Sequence, residues 1–135
     1  MAGHGSPGSS LRALSEIFPK AKIYGADIDK EILFSTDIIK TYYLDQLKPK
    51  TFNDLSRSIG NKLDLIIDDG LHSISANINS MIFAFENLKK GGWLIIEDIN
   101  LRSPEIWLMI SELVSKKHEN YLIKTDWAYI FCLKR

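Results

Sequence analysis

An α/β fold with a doubly wound, mostly parallel sheet is predicted by three observations. Apolar, β-branched runs alternate with segments of helical periodicity along most of the chain. The run "KLDLIIDD" is almost continuously apolar until its acids, as strands buried on both faces are. The chain then closes on "YLIKT" and "AYIFCLK" around "DW", the pattern of an antiparallel strand pair.

The elements follow in order. The opening "MAGHGSPGSS" is small and polar and begins no strand; residues 1–8 are expected to be flexible or an added tail. "SSLRALSEIF" starts on capping-type serines and places Leu11, Leu14, Ile17 and Phe18 at helical spacing, and Pro19 stops it. "AKIYGADI" reads as a buried strand, "DKEILFST" as a short helix opened by Asp29, and "IKTYYLD" as a second strand. "KTFNDLSRSI" carries Phe52, Leu55 and Ile59 on one helical face, and Gly60 and Asn61 punctuate it before "KLDLIIDD".

The longest helical pattern runs from Ser73 to Lys89, with Ile74, Ile78, Met81, Ile82, Phe85 and Leu88 as its apolar stripe. "KKGG" is expected to supply its basic last turn and glycine stop. "WLIIEDI" is a further strand and "SPEIWLMISELVSKKH" a further helix, its cations complementing the helix C-terminus. The architecture is therefore Rossmann-like, in one domain spanning residues 1–135, with right-handed crossovers. One part is missing: the strand that normally leads into the glycine-rich loop.

Bulk composition narrows the function classes. With 17 basic and 17 acidic residues among 135, no broad basic surface for nucleic acid is expected. The single cysteine, Cys132, excludes an internal disulfide and a multi-cysteine zinc site. No apolar run reaches the roughly 18 residues that span a bilayer. A soluble, cytoplasmic domain is expected, without membrane partners.

In open α/β sheets ligands lie beyond the carboxyl ends of the strands. Here those ends deliver Asp27 and Asp29, then Asp45 and Gln46, then Asp68 and Asp69 with His72 beyond, then Glu97 and Asp98. Any one acid can be a turn or cap residue; four strands ending alike point to a ligand edge. The "GHGSPG" run matches the dinucleotide glycine pattern without its preceding strand, so only its looser content is kept. Small residues such as Gly8 and Ser9 at a helix start let a ligand come close. Asp27 is placed to accept hydrogen bonds from a ribose diol, which suits NAD and S-adenosylmethionine alike.

Asp69, Glu97 and Asp98 are hard oxygen donors suited to Mg²⁺ or a similar divalent cation. His72, one turn past Asp69, could take a proton from a hydroxyl near that cation. The competing reading is an Asx turn at Asp68 and Asp69, with His72 capping the next helix. Trp93, Trp107 and Trp127 are expected to be core or interface residues rather than stacking platforms, and Cys132 a buried small residue.

The runs "FPKAKIYGADID", "DLIIDDGLHS" and "LKKGGWLIIEDI" together resemble the class I S-adenosylmethionine-dependent methyltransferases, and most of all the metal-dependent sugar O-methyltransferase branch. The similarity covers roughly residues 5–100. It implies that Asp69, Glu97 and Asp98 hold Mg²⁺ and that His72 is the general base. It also implies that Asp27 holds the cofactor ribose and Asp45 lies near the adenine; Gly8, Ser9, Gln46 and Asp68 are expected on the cofactor side from their places at the helix start and strand ends. Asp68 is chiefly a support. Leu71 departs from the pattern, standing where a small polar residue is common before the histidine.

The expected function is thus Mg²⁺-assisted methylation of a hydroxyl on a sugar or other small molecule, possible as a homo-oligomer. The alternative is a truncated, non-catalytic Rossmann-like domain acting in binding or oligomerisation. An NAD-dependent oxidoreductase is disfavoured, because no glycine fingerprint or Tyr-Lys set is present.

Overall fold

The computed structural model describes residues 6–60, 62–102 and 104–135. Gly3 and Gly5 of the glycine pattern, Asn61 of the expected punctuation and Ser103 at the start of the last helix lie outside the described residues. The chain divides into two compact units, Met1–Ile59 and Gly60–Arg135.

The first unit runs α1 (Ser9–Ile17), β1 (Ile23–Asp27), a single 3-10 turn (Lys30–Ile32), β2 (Ile39–Tyr43) and α2 (Pro49–Ile59). β1 and β2 pair in parallel, Ile23 opposite Ile39 and Asp27 opposite Tyr43. The short helix foreseen at "DKEILFST" is that one 3-10 turn, and Asp29 caps it by accepting from the Glu31 amide at 2.9 Å. Phe52, Leu55 and Ile59 are buried as their spacing required. Gly25 lets α1 lie close on β1: an added Cβ would meet Leu11 and, at 3.1 Å, Thr41.

The second unit runs β3 (Leu63–Asp68), α3 (Ile74–Asn87), β4 (Leu88–Ile99), α4 (Pro104–Ser115), β5 (Asn120–Lys124) and β6 (Tyr129–Lys134). Its sheet has the order β3-β4-β6-β5. β3 and β4 are parallel, and the terminal hairpin adds antiparallel to β4 through β6. Met81, Ala84, Leu88, Leu94, Ile96, Ile99, Trp107, Phe131 and Leu133 form its core. No strand precedes α1 among the described residues, in keeping with the missing first strand.

Three expectations are corrected here. β3 is not buried on both faces: Leu65 and Ile67, two residues apart and so on one face, are each 41% exposed. The large-residue stripe foreseen for α3 is buried only in part: Met81 and Leu88 are in the core and Ile74 and Phe85 pack against it. Ile78 and Ile82 are exposed, while Ala76, Asn77, Ser80, Met81, Phe83 and Ala84 are buried. Small residues allow close helix–sheet packing, and the buried Asn77 amide fixes the helix rotation by donating to Asp68 Oδ2 at 3.0 Å. Finally, "KKGG" is not a helix end but the start of β4. Lys89 pairs with Asp64 of β3 at 2.8 Å, and Gly92 passes so close to β3 that a Cβ would lie 3.0 Å from the Asp64 carbonyl oxygen. Strand pairing outcompetes a helix cap because it satisfies backbone groups that a frayed helix end would leave open.

Candidate functional site

The sequence-derived site residues of the second unit converge on the carboxyl ends of β3 and β4. β3 ends on Asp68, which is buried and fully engaged. Its Oδ1 accepts from the Gly70 amide at 3.2 Å and its Oδ2 from Asn77. Asp68 is thus a brace between the β3 turn and α3, the supporting role expected of it. Its two oxygens are already taken, which leaves little capacity for a cofactor contact.

Asp69, the next residue, points the other way and is exposed. His72 follows in left-handed backbone at φ 52°, and its Nε2 lies 3.9 Å from Asp69 Oδ1. His72 does not cap α3; Ser73 does, its hydroxyl accepting from the Ala76 amide. The imidazole is left facing the acids.

β4 contributes through a bulge that the sequence did not reveal. Ile96 pairs with Phe131 and Ile99 with Tyr129, so Glu97 and Asp98 together stand opposite one residue of β6. Asp98 is also left-handed, at φ 51°. In a regular strand these neighbours would point to opposite faces. The bulge re-aims Asp98, and one ligand atom each of Asp69, His72 and Asp98 lie within 4.8 Å of one another. Two non-glycine residues in strained backbone at one cluster mark a site whose geometry the surrounding fold enforces.

Glu97 is not in that close trio, but it responds to it. Its carboxyl is pushed above the ordinary value, first by burial, then by the charges of Asp69 and Asp98, against a smaller opposing pull from His72. The folded chain therefore binds Glu97's proton more tightly than the unfolded chain does. Between the ordinary and the raised value, stability falls as pH rises. In chelator-treated protein, Glu97→Gln is expected to flatten that fall, read as melting temperature across the acid range. A variant with the parent's slope would remove Glu97 from the acid cluster.

Two carboxylates within reach of one point, with a third pressed upon by their charge, fit a hard divalent cation. The imidazole in the trio would also suit a softer metal. Beside the trio is a cavity of about 570 Å³ lined by His72, Asp98, Asn100, Arg102, Trp127 and Ala128 among others.

The first unit holds the remaining candidates. Asp27 Oδ1 accepts from the Asp29 amide at 2.8 Å. Its second oxygen makes no hydrogen bond among the described residues, so it can still accept from a diol. Asp45 is committed: Oδ1 accepts from the Leu47 amide at 3.0 Å and Oδ2 faces Lys48 Nζ at 2.8 Å. The Lys48 ammonium, then the Leu47 amide, holds its carboxyl below the usual range. Gln46 is half-buried beside it and already has an interaction of its own. Gly8 is explained locally, since at φ 77° an added Cβ would collide with the Phe34 ring. Ser9 donates from its hydroxyl to the Ser6 carbonyl at 2.6 Å.

No family model matches the chain. It is 32% identical over 92 residues to 8-demethyl-8-alpha-L-rhamnosyl tetracenomycin-C 2'-O-methyltransferase of Streptomyces olivaceus, covering 68% of this chain and 24% of that protein. It is 34% identical over 93 residues to mycinamicin VI 2''-O-methyltransferase of Micromonospora griseorubida, covering 68% and 23%. The chain thus spans about a quarter of the length of these relatives. Among solved structures it matches the MycE methyltransferase of the mycinamycin pathway, in complex with Mg and SAH, with TM-score 0.74 over 98% of this chain and 42% of that one, at 24% identity. A putative ribosomal RNA methyltransferase from Plasmodium falciparum matches with TM-score 0.69 at 16% identity, over 96% of this chain and 80% of that one. At such identities the structural matches speak for the fold alone.

Proposed function

We propose a function from one premise: the chain has the fold of the class I S-adenosylmethionine-dependent methyltransferases and is related in sequence to their sugar O-methyltransferases. On that premise it transfers a methyl group to a hydroxyl oxygen of a sugar or sugar-bearing small molecule. The observation that carries this reading is the trio Asp69, His72 and Asp98, with ligand atoms within 4.8 Å, two of the three in enforced left-handed backbone.

Asp69 and Asp98 would hold the divalent cation, with Glu97 adding charge close by. When bound, that cation would polarise the acceptor hydroxyl and lower its pKa. S-adenosylmethionine would supply the electrophilic methyl group on its sulfonium. His72 is exposed beside the acids, its Nε2 3.9 Å from Asp69 Oδ1, and its neutral imidazole would take the hydroxyl proton. Asp68 and Asn77 keep the turn that carries Asp69 and His72 in place. Asp27 would accept hydrogen bonds from the cofactor ribose through its free oxygen.

Calorimetric titration with S-adenosylmethionine and S-adenosylhomocysteine, with and without Mg²⁺, tests the reading directly. Binding strengthened by Mg²⁺ is expected; absence of binding to either would leave a scaffold without this chemistry. His72→Ala is expected to lower turnover by about 10²- to 10⁴-fold, the usual worth of a positioned base. Cofactor affinity should stay within about twofold. Parallel loss of both would make His72 a structural or binding residue.

A further inference from the structure

We propose that Trp127 is the platform on which the acceptor's sugar ring stacks. The proposal rests on the methyl-transfer reading and names the acceptor contact that reading leaves open.

Trp127 is 88% exposed, whereas Trp107 is 1% exposed and packs on Phe131 with ring centroids 5.2 Å apart. Trp93 is half-buried and stacks on Tyr121 at 6.4 Å. Trp127 makes no ring or cation–π contact among the described residues. A bare indole on a folded surface forfeits a large hydrophobic gain unless something covers it.

Its turn is not loose. Between paired Lys124 and Tyr129, the Thr125 hydroxyl accepts from the Ala128 amide at 3.0 Å and from the Trp127 amide at 3.3 Å. The Thr125 amide and hydroxyl both donate to the Ala128 carbonyl, at 2.9 and 2.8 Å. The indole is therefore presented by a braced hairpin tip, so little ordering entropy is lost when a ring stacks on it.

The position is informative as well. Trp127 lines the same cavity as His72 and Asp98, together with Asn100 and Arg102. Asn100 Oδ1 is used by the Arg102 amide at 2.9 Å. The Asn100 amide group and the Arg102 guanidinium donate no hydrogen bond among the described residues. A pyranose ring has an apolar C–H face for the indole and hydroxyls for those donors. At about 570 Å³ the cavity suits one such ring with room for its aglycone. A nucleobase would also stack, and the test below separates it from a sugar ring.

The test uses the full chain and methyl α-L-rhamnopyranoside as the probe, with binding followed by tryptophan fluorescence and ligand-observed saturation-transfer NMR. The parent is expected to bind at millimolar level, Trp127→Ala about tenfold more weakly, and Trp127→Tyr within about threefold of the parent. S-adenosylhomocysteine affinity should be equal in all three chains. Binding unchanged by Trp127→Ala overturns the proposal, as does a parent that binds S-adenosylhomocysteine with Mg²⁺ but not the glycoside at tens of millimolar. Tighter binding of uridine monophosphate than of the glycoside also overturns it, in favour of a base. A parent that binds the glycoside through Trp127 but not S-adenosylhomocysteine supports the platform and refutes methyl transfer.

Discussion

Asp98→Gly is expected to fold as well as the parent and yet lose its response to Mg²⁺. Asp98 sits at φ 51°, where a side chain costs roughly 1–2 kcal/mol that glycine does not incur. Glycine's extra freedom in the unfolded chain returns about 0.5–1 kcal/mol of that, so the melting temperature should barely move. What disappears is a carboxylate of the trio. Mg²⁺ should then no longer stabilise the chain, and turnover should fall by about 10²- to 10³-fold, the scale on which a single preorganised charge contributes. Asp98→Ala would lose the same carboxylate and keep the backbone strain without Asp's tolerance of it, so its melting temperature should drop below that of the glycine variant. Comparison of thermal melts with and without Mg²⁺ separates the two effects. A glycine variant that keeps the parent's Mg²⁺ response would remove Asp98 from the cation site.

Trp107→Ala carries the largest expected loss of stability. Trp107 is 1% exposed on α4, packed against Phe131 of β6, and is the largest fully buried side chain among those described. Truncation removes its transfer energy and leaves a cavity that Leu94, Ile96 and Leu133 cannot close, at a cost of about 3–5 kcal/mol. Domains of this size have about 5–15 kcal/mol in total, so this one truncation should remove a large share of the stability. Urea denaturation followed by circular dichroism measures this. A loss under about 1 kcal/mol would mean that α4 is not anchored through this residue.

The order of elements was legible because each rests on local features. Period-2 and period-3.6 runs, Asp29 as a cap and Pro19 as a stop need no partner to be read. The acids at strand ends were legible for the same reason, since a strand's end is set by its own composition and turn. Packing partners were not. The large residues Ile78 and Ile82 looked like the buried stripe of α3, yet the helix is rotated so that Asn77 reaches Asp68 and the small residues meet the sheet. "KKGG" looked like a helix stop because its competing strand partners, Asp64 and the Arg135 backbone, lie tens of residues away in sequence. Trp127 was expected in a core or interface, and its exposure depends on a hairpin brace that no periodicity encodes.

The candidate site divides along the same line. By itself, the sequence determined that Asp69, His72, Glu97 and Asp98 stand at the carboxyl ends of two strands, and that oxygen donors with an imidazole suit a divalent cation and a proton transfer. Only the tertiary structure decided which of them meet. A bulge at Glu97 and Asp98, set by the register of β4 against β6, brings Asp98 together with His72 and Asp69 and leaves Glu97 outside that trio. Register is a property of two strands at once. A side chain's type is written in the chain, but the direction it points is fixed by a partner far along it.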